Sequence, residues 1–171
     1  MVAKKHYANI MTFTSLALGI CTILLSLRGY SLYFPAFLII LAGVLDRFDG
    51  IIARRFNSVS AFGEQIDSFN DIISFGIAPM IMFCQYAEPS HDIVAIVLVT
   101  IYLFASVFRL ARFHVFEIDG YYIGLPITVA ALLFVLFLMI YIIFNLTFIT
   151  ILFMIIILSV LMIMPYKLKK R

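Results

Sequence analysis

Residues Leu45–Asp71 read LDRFDGIIARRFNSVSAFGEQIDSFND. They place four aspartates, one glutamate and three arginines in a chain that is 65% hydrophobic and only 12% charged. A soluble domain is about 45–50% apolar and about 25% charged. The apolar excess is more than the core of a 171-residue chain can absorb, so an integral membrane protein is expected. Each ionised group then costs roughly 2.5–3.5 kcal/mol at a helix centre on the lenient insertion scale. A cluster of them needs a chemical reason.

At roughly 20 residues per spanning helix, the apolar runs around this stretch divide into six segments. The first covers about Ala8–Leu27 and ends at the Gly-containing turn RGY. The second starts near Leu32 and runs through Arg55, and the third covers about Phe62–Tyr86. A polar loop, AEPSHD, precedes the fourth, about Ile93–Phe113. The linker HVFEIDGYYIG leads to the fifth, about Leu125–Phe144, and NLT separates it from the sixth, which ends near Met164 before PYKLKKR. The expected fold is all-α: one domain, residues 1–171, of six transmembrane helices. Lysines ahead of the first apolar run resemble a secretory leader. That run is long enough to span and others follow, so an uncleaved first helix is expected.

Basic residues near the segment ends set the orientation. Lys4 and Lys5 precede the first segment, Arg54 and Arg55 follow the second, Arg109 and Arg112 end the fourth, and Lys167, Lys169, Lys170 and Arg171 close the chain. The alternate loops hold Arg28, then Glu88 and Asp92, then no charge. The positive-inside bias puts both termini in the cytoplasm, as an even number of spans requires. Two cysteines far apart, Cys21 and Cys84, support no disulfide framework. No basic run suggests a nucleic-acid partner. The sequon Asn145-Leu-Thr147 is short enough to occur by chance.

On a helix of about 100° per residue, Asp46, Asp49, Gly50 and Ala53 share one stripe of the second segment. Gly63, Asp67 and Asp71 step by four along the third. A turn around RRFNSVSA makes the two segments antiparallel neighbours, so their acidic faces can meet near the cytoplasmic end. Converging carboxylates repel unless protonated or neutralised by cations. Oxygen-only donors select hard ions, Mg²⁺ or Mn²⁺, and four carboxylates suffice for two, the arrangement that clamps both oxygens of a phosphoryl displacement. Gly50, Ala53 and Gly63 leave room for a bulky ligand, and Arg54 offers a fork-shaped donor to phosphate. The plainer alternative is that these acids pair with Arg47, Arg54 and Arg55 at the interface.

The run Asp46-x2-Asp49-Gly50-x2-Ala53-Arg54-x8-Gly63-x3-Asp67-x3-Asp71 resembles the signature of the CDP-alcohol phosphotransferases at every fixed position. The resemblance implies six transmembrane helices, a homodimer, and divalent metal assisting displacement of CMP from a CDP-lipid by an alcohol. It implies Asp46, Asp49 and Asp67 as metal ligands, and Asp71 as general base and further ligand. Gly50, Ala53, Arg54 and Gly63 would form the CDP-lipid site. Ser60 is either a donor to the diphosphate or an ordinary turn serine. Asn9-x-x-Thr12 resembles a nucleotide-site element of the family, with Ala8 where members carry proline. The arm before the first span is too short for the surface-lying helix of many members.

DSFNDIISFGIAP (Asp67–Pro79), FRLARFHV (Phe108–Val115) and GLPITVAALL (Gly124–Leu133) resemble blocks of the family's membrane-embedded serine-using branch. That resemblance implies CDP-diacylglycerol and L-serine as substrates, in a multi-pass cell-membrane protein with its active site near the cytoplasmic face. Arg109 and Arg112 either hold the acceptor carboxylate or lipid phosphate, or anchor a helix end. Ser74 lines the acceptor pocket or packs helices. The rivals are a glycerol 3-phosphate acceptor within the family and, outside it, a divalent-cation transporter.

Overall fold

A helix in lipid reverses the soluble pattern, and α1 (Val2–Leu27) shows the reversal. Thr12, Ser15, Gly19, Thr22 and Ser26 line its buried side at alternating steps of three and four. Ile10, Phe13, Ile20, Leu24 and Leu27 stand exposed. Lipid tails are as apolar as leucine, so large apolar side chains gain little by hiding. Small ones let backbones approach, and hydroxyls bond across helices. The computed structural model describes the backbone of residues 2–55, 61–86, 92–115, 121–165 and 167–169, and side chains within 10–48, 50, 62–86, 92–112 and 124–165. Two compact units divide it, Met1–Met82 and Phe83–Arg171.

In the first unit, α1 ends in a Schellman turn. The Tyr30 N–H donates to the Leu25 carbonyl at 3.1 Å, the Gly29 N–H donates to the Ser26 carbonyl at 3.0 Å, and Gly29 takes φ +73°. Helix α2 (Tyr33–Arg55) returns along α1 with Ala36, Ile39 and Ala42 buried and Phe34, Phe37 and Phe48 exposed. The Ser15 hydroxyl donates to the Ala42 carbonyl at 3.1 Å, and the Thr22 hydroxyl lies 3.0 Å from the Leu18 carbonyl and 3.4 Å from that of Pro35.

The third helical run changes pitch twice: α3 (Ala61–Asn70), a π segment (Asp71–Ile77), then α4 (Ala78–Tyr86). The Ala78 N–H reaches the Ile73 carbonyl, five residues back. Pro79 supplies the cause, because its ring would press on the Phe75 carbonyl in α geometry and it has no N–H to offer. Widening the preceding turn moves that carbonyl aside. The π segment packs on α1 at Gly19, where an added Cβ would fall 2.7 Å from Ser74 Cβ and 2.8 Å from Ser74 Cα.

The second unit holds α5 (Asp92–Val115), α6 (Ile127–Ile143) and α7 (Phe148–Ile163). Its core centres on Tyr102 and Phe134, 6.2 Å apart between rings, with Phe83 6.3 Å from Phe134 and 6.3 Å from Phe148. Between α6 and α7 a second Schellman turn uses Asn145 at φ 47°, with Leu146 N–H donating to Tyr141 and Asn145 N–H to Ile142. Strands β1 (Tyr121–Ile123) and β2 (Lys167–Lys169) pair antiparallel, Tyr121 opposite Lys169. The sequence reading had only a linker and a charged tail there.

Among the described residues six helical runs thus stand where six segments were expected. Among the described residues three are long and apolar enough to cross a membrane: Ile10–Leu27, Phe62–Tyr86 and Asp92–Arg112. Helices α6 and α7, with 17 and 16 residues, are apolar but shorter. At 1.5 Å per residue they reach about 25 Å, against roughly 30 Å of hydrocarbon. Helix α2 has the length but carries Asp46, Arg47, Asp49, Arg54 and Arg55. Helix α1 begins at Val2, well before Ala8.

Candidate active site

The buried face of α2 continues from Ile39 and Ala42 to Asp46, one turn further on, and Asp46 is half-buried. Against it comes the end of α3. The Asn70 amide is fully buried, and its nitrogen donates to Asp46 Oδ1 at 3.3 Å and to the Ser15 hydroxyl at 3.3 Å. Its carbonyl oxygen accepts from the Ser74 hydroxyl at 2.8 Å. The Ser15 hydroxyl in turn donates a hydrogen bond to the Ala42 carbonyl. One amide therefore ties α1, α2 and the α3–π run together, with both of its hydrogens and its oxygen engaged. An ionised carboxylate can only accept, so the amide nitrogen is the end that faces Asp46.

This contact joins the two halves of the signature. Asp71 follows Asn70 directly and is half-buried; Asp67 precedes it by one turn and is exposed. Gly50 and Gly63 are both partly buried. The side chains of Asn9, Asp49, Ala53 and Arg54 and the whole of Ser60 lie outside the described residues. Thr12 is buried on the α1 stripe, one turn from Ser15. Among the described residues no group of three or more His, Cys, Asp or Glu is drawn together closely enough to hold a metal ion. The donor chemistry nonetheless fits Mg²⁺ or Mn²⁺: oxygen donors on adjoining helices, one of them steadied by an amide.

Ser74 is fully buried against Gly19, bonded to Asn70 and 3.4 Å from the Ser15 carbonyl. The π turn carries it against α1 together with Asn70. In the second unit, Arg109 is buried on α5. Arg112 reaches the end of α7, donating to the Ile163 carbonyl at 2.7 Å and lying 3.4 Å from the carbonyls of Met162 and Met164. A cation at a helix C-terminus meets the negative end of the dipole there. Gly124, at φ +74°, nests between the Met162 carbonyl and Arg112, where a Cβ would collide. Two of the sequence blocks thus share a structural task at the end of α7.

Sequence reasoning missed Asn70, because the search followed acids. The signal was present: an amide on a membrane helix, four residues before a serine and next to Asp71.

Residues 5–164 match the family model described as CDP-alcohol phosphatidyltransferase. The chain belongs to this family. Several relatives are named CDP-diacylglycerol–serine O-phosphatidyltransferase, two of them as follows. That of Helicobacter pylori is 32% identical over 133 residues, covering 76% of this chain and 56% of the relative. That of Methanocaldococcus jannaschii is 34% identical over 128 residues, 75% of this chain and 58% of the relative. The archaetidylserine synthase of Methanothermobacter thermautotrophicus is 34% identical over 126 residues, 72% and 53% respectively. The chain spans a little over half the length of these relatives.

Proposed function

We propose that this chain transfers a phosphatidyl group from CDP-diacylglycerol to the hydroxyl of L-serine, forming phosphatidylserine and releasing CMP. The observation that carries this reading is the Asp46–Asn70 contact, which sets the α2 half of the family signature against the α3 half. Two of the relatives named above are serine O-phosphatidyltransferases and the third an archaetidylserine synthase, and these names favour serine as acceptor.

Asp71 would take the proton from the serine hydroxyl. The freed oxygen forms a bond to the lipid-bearing phosphorus, the phosphorus–oxygen bond to CMP breaks, and CMP leaves with that electron pair. Asp46, Asp49 and Asp67, with Asp71, would hold two divalent ions. Bound Mg²⁺ or Mn²⁺ would supply charge neutralisation to the diphosphate at both the attacking and leaving oxygens. Arg54 would grip phosphate oxygens in its planar fork, and Gly50, Ala53 and Gly63 would leave space for the nucleotide, with Asn9, Thr12 and Ser60 at its margin. On sequence grounds Arg109 and Arg112 are assigned to the acceptor's carboxylate or the lipid phosphate. Arg112 also serves the α7 carbonyls. Ser74 retains an acceptor role only if its bond to Asn70 opens. Six spans, cytoplasmic termini, a site beneath the inner-leaflet headgroups and a homodimer complete the proposal.

The test is an acceptor screen. Purified chain in mixed micelles receives CDP-diacylglycerol, Mg²⁺ or Mn²⁺, and serine, glycerol 3-phosphate or inositol phosphate in turn, with CMP release measured. Serine-dependent release supports the reading. Release with glycerol 3-phosphate alone reassigns the acceptor. Ion flux into liposomes with no CMP release from any acceptor points to the transporter.

A further inference from the structure

We propose that Asn70 is a positioning residue for Asp46: its amide fixes one carboxylate oxygen and so sets the direction in which the other faces the cation site. The inference rests on the preceding reading of Asp46 as a metal ligand, and it adds a residue that lies between the fixed positions of the family signature.

The geometry argues for a positioning task beyond simple packing. Asn70 has no exposed surface, so its amide would be costly to bury without partners. Each of its polar atoms is matched: one hydrogen to Asp46 Oδ1, the other to Ser15, the oxygen to Ser74. Those three partners sit on α2, α1 and the π segment, so the amide cannot turn without breaking contacts to three elements at once. Asp46 is thereby held by a group that is itself immobilised. Carboxylate ligands are commonly oriented by such outer hydrogen bonds, and removing one typically weakens metal affinity by about 10–100-fold. Asn70 also stands at the junction where α3 gives way to the π segment. The same amide therefore fixes Asp46 on one helix and the start of the turn carrying Asp71 on the other.

The experiment titrates Mn²⁺ into the purified full chain in detergent and follows free Mn²⁺ by electron paramagnetic resonance, with no substrate present. Wild type, Asn70→Ala, Asn70→Leu and Ser15→Ala are compared, with thermal unfolding of each recorded in metal-free buffer. Ser15→Ala removes another arm of the same buried network and leaves the Asn70–Asp46 bond in place, so it reports loss of packing alone. The inference expects Asn70→Ala to weaken Mn²⁺ binding about tenfold or more while Ser15→Ala stays within about twofold. Asn70→Leu, apolar and of similar size, should match Ala in metal affinity, and it serves in its place if the smaller residue prevents folding. Turnover should show the same split, with the metal concentration for half-maximal rate rising more than kcat falls. Equal Mn²⁺ affinity in wild type and both Asn70 variants overturns the inference while leaving the metal reading intact. Equal losses in Ser15→Ala and Asn70→Ala also overturn it, reducing Asn70 to a packing residue. A wild-type chain that binds no Mn²⁺ removes the metal reading itself, and the inference with it.

Discussion

Gly19→Ala is the sharpest test of how the first unit is held together. The new methyl group would fall 2.7 Å from Ser74 Cβ and 2.8 Å from Ser74 Cα. Carbon atoms rest about 3.5–4.0 Å apart, so α1 and the π segment must separate by about 1 Å. Backbone cannot rotate out of the way as a flexible side chain can. The bonds crossing this interface have little slack: Asn70 to Ser15 at 3.3 Å and Ser74 to the Ser15 carbonyl at 3.4 Å. Both already lie at the long edge of hydrogen-bonding range, and an added ångström takes them out of useful reach. Overpacking costs about 1–3 kcal/mol, and the lost buried bonds about 1 kcal/mol more. The expected total of roughly 2–4 kcal/mol should lower the melting temperature by about 5–15 °C. Thermal unfolding in detergent measures it. Ser74→Gly deletes the Cβ but leaves the Cα in place, so in a double-mutant cycle it should relieve only part of the loss. A Gly19→Ala protein melting within about 2 °C of wild type, or complete relief by Ser74→Gly, refutes the close approach.

Asp71→Asn should retain CDP-diacylglycerol binding by calorimetry while losing serine-dependent CMP release; retained turnover removes Asp71 from the base role. Arg112→Met should lower thermal stability by about 2 kcal/mol through the uncapped α7 terminus, measured without substrate. Arg112→Lys should recover only part of it, because an ammonium cannot fork between carbonyls. Gly29→Ala meets no atom within 4 Å yet must hold φ +73°. It should cost about 1–2 kcal/mol in unfolding and leave Mn²⁺ affinity unchanged.

The segment positions were legible because apolar runs and turn glycines report them directly. Gly29 marks the α1–α2 turn, and the step from Ala42 to Asp46 continues the α2 stripe read from the acids. The π segment was readable in principle from Pro79, since a proline inside a helical run must displace a carbonyl. The β1–β2 pair was not, because neither YYI nor KLK is more than three residues and nothing local joins them. Arg112 shows a different limit. Its charge gives topology, but a count of charges does not say whether the guanidinium meets a substrate or the carbonyls of another helix. Asn70 escaped for a related reason. It breaks no periodicity, and its importance lies in three partners on separate elements, the most distant of them 55 residues away.

The same residues that let α1 approach also let the Asn70 amide reach both Ser15 and Asp46. Gly19 is small enough for the π segment to lie against α1, and only at that distance does the Asn70 amide span from Ser15 to Asp46. Packing and positioning are therefore coupled, and a variant that widens the interface must disturb both. Ser15→Ala and Gly19→Ala separate the two effects. The first deletes one hydroxyl without moving a helix and should leave Asp46 held. The second moves a helix without deleting any polar group and should release it. Mn²⁺ affinity should therefore fall in Gly19→Ala and hold in Ser15→Ala, although both lose the same Asn70–Ser15 bond. If affinity instead fell equally in both, the loss would follow the packing of the buried network as a whole, and the hold of Asn70 on Asp46 would not be what the spacing at Gly19 protects.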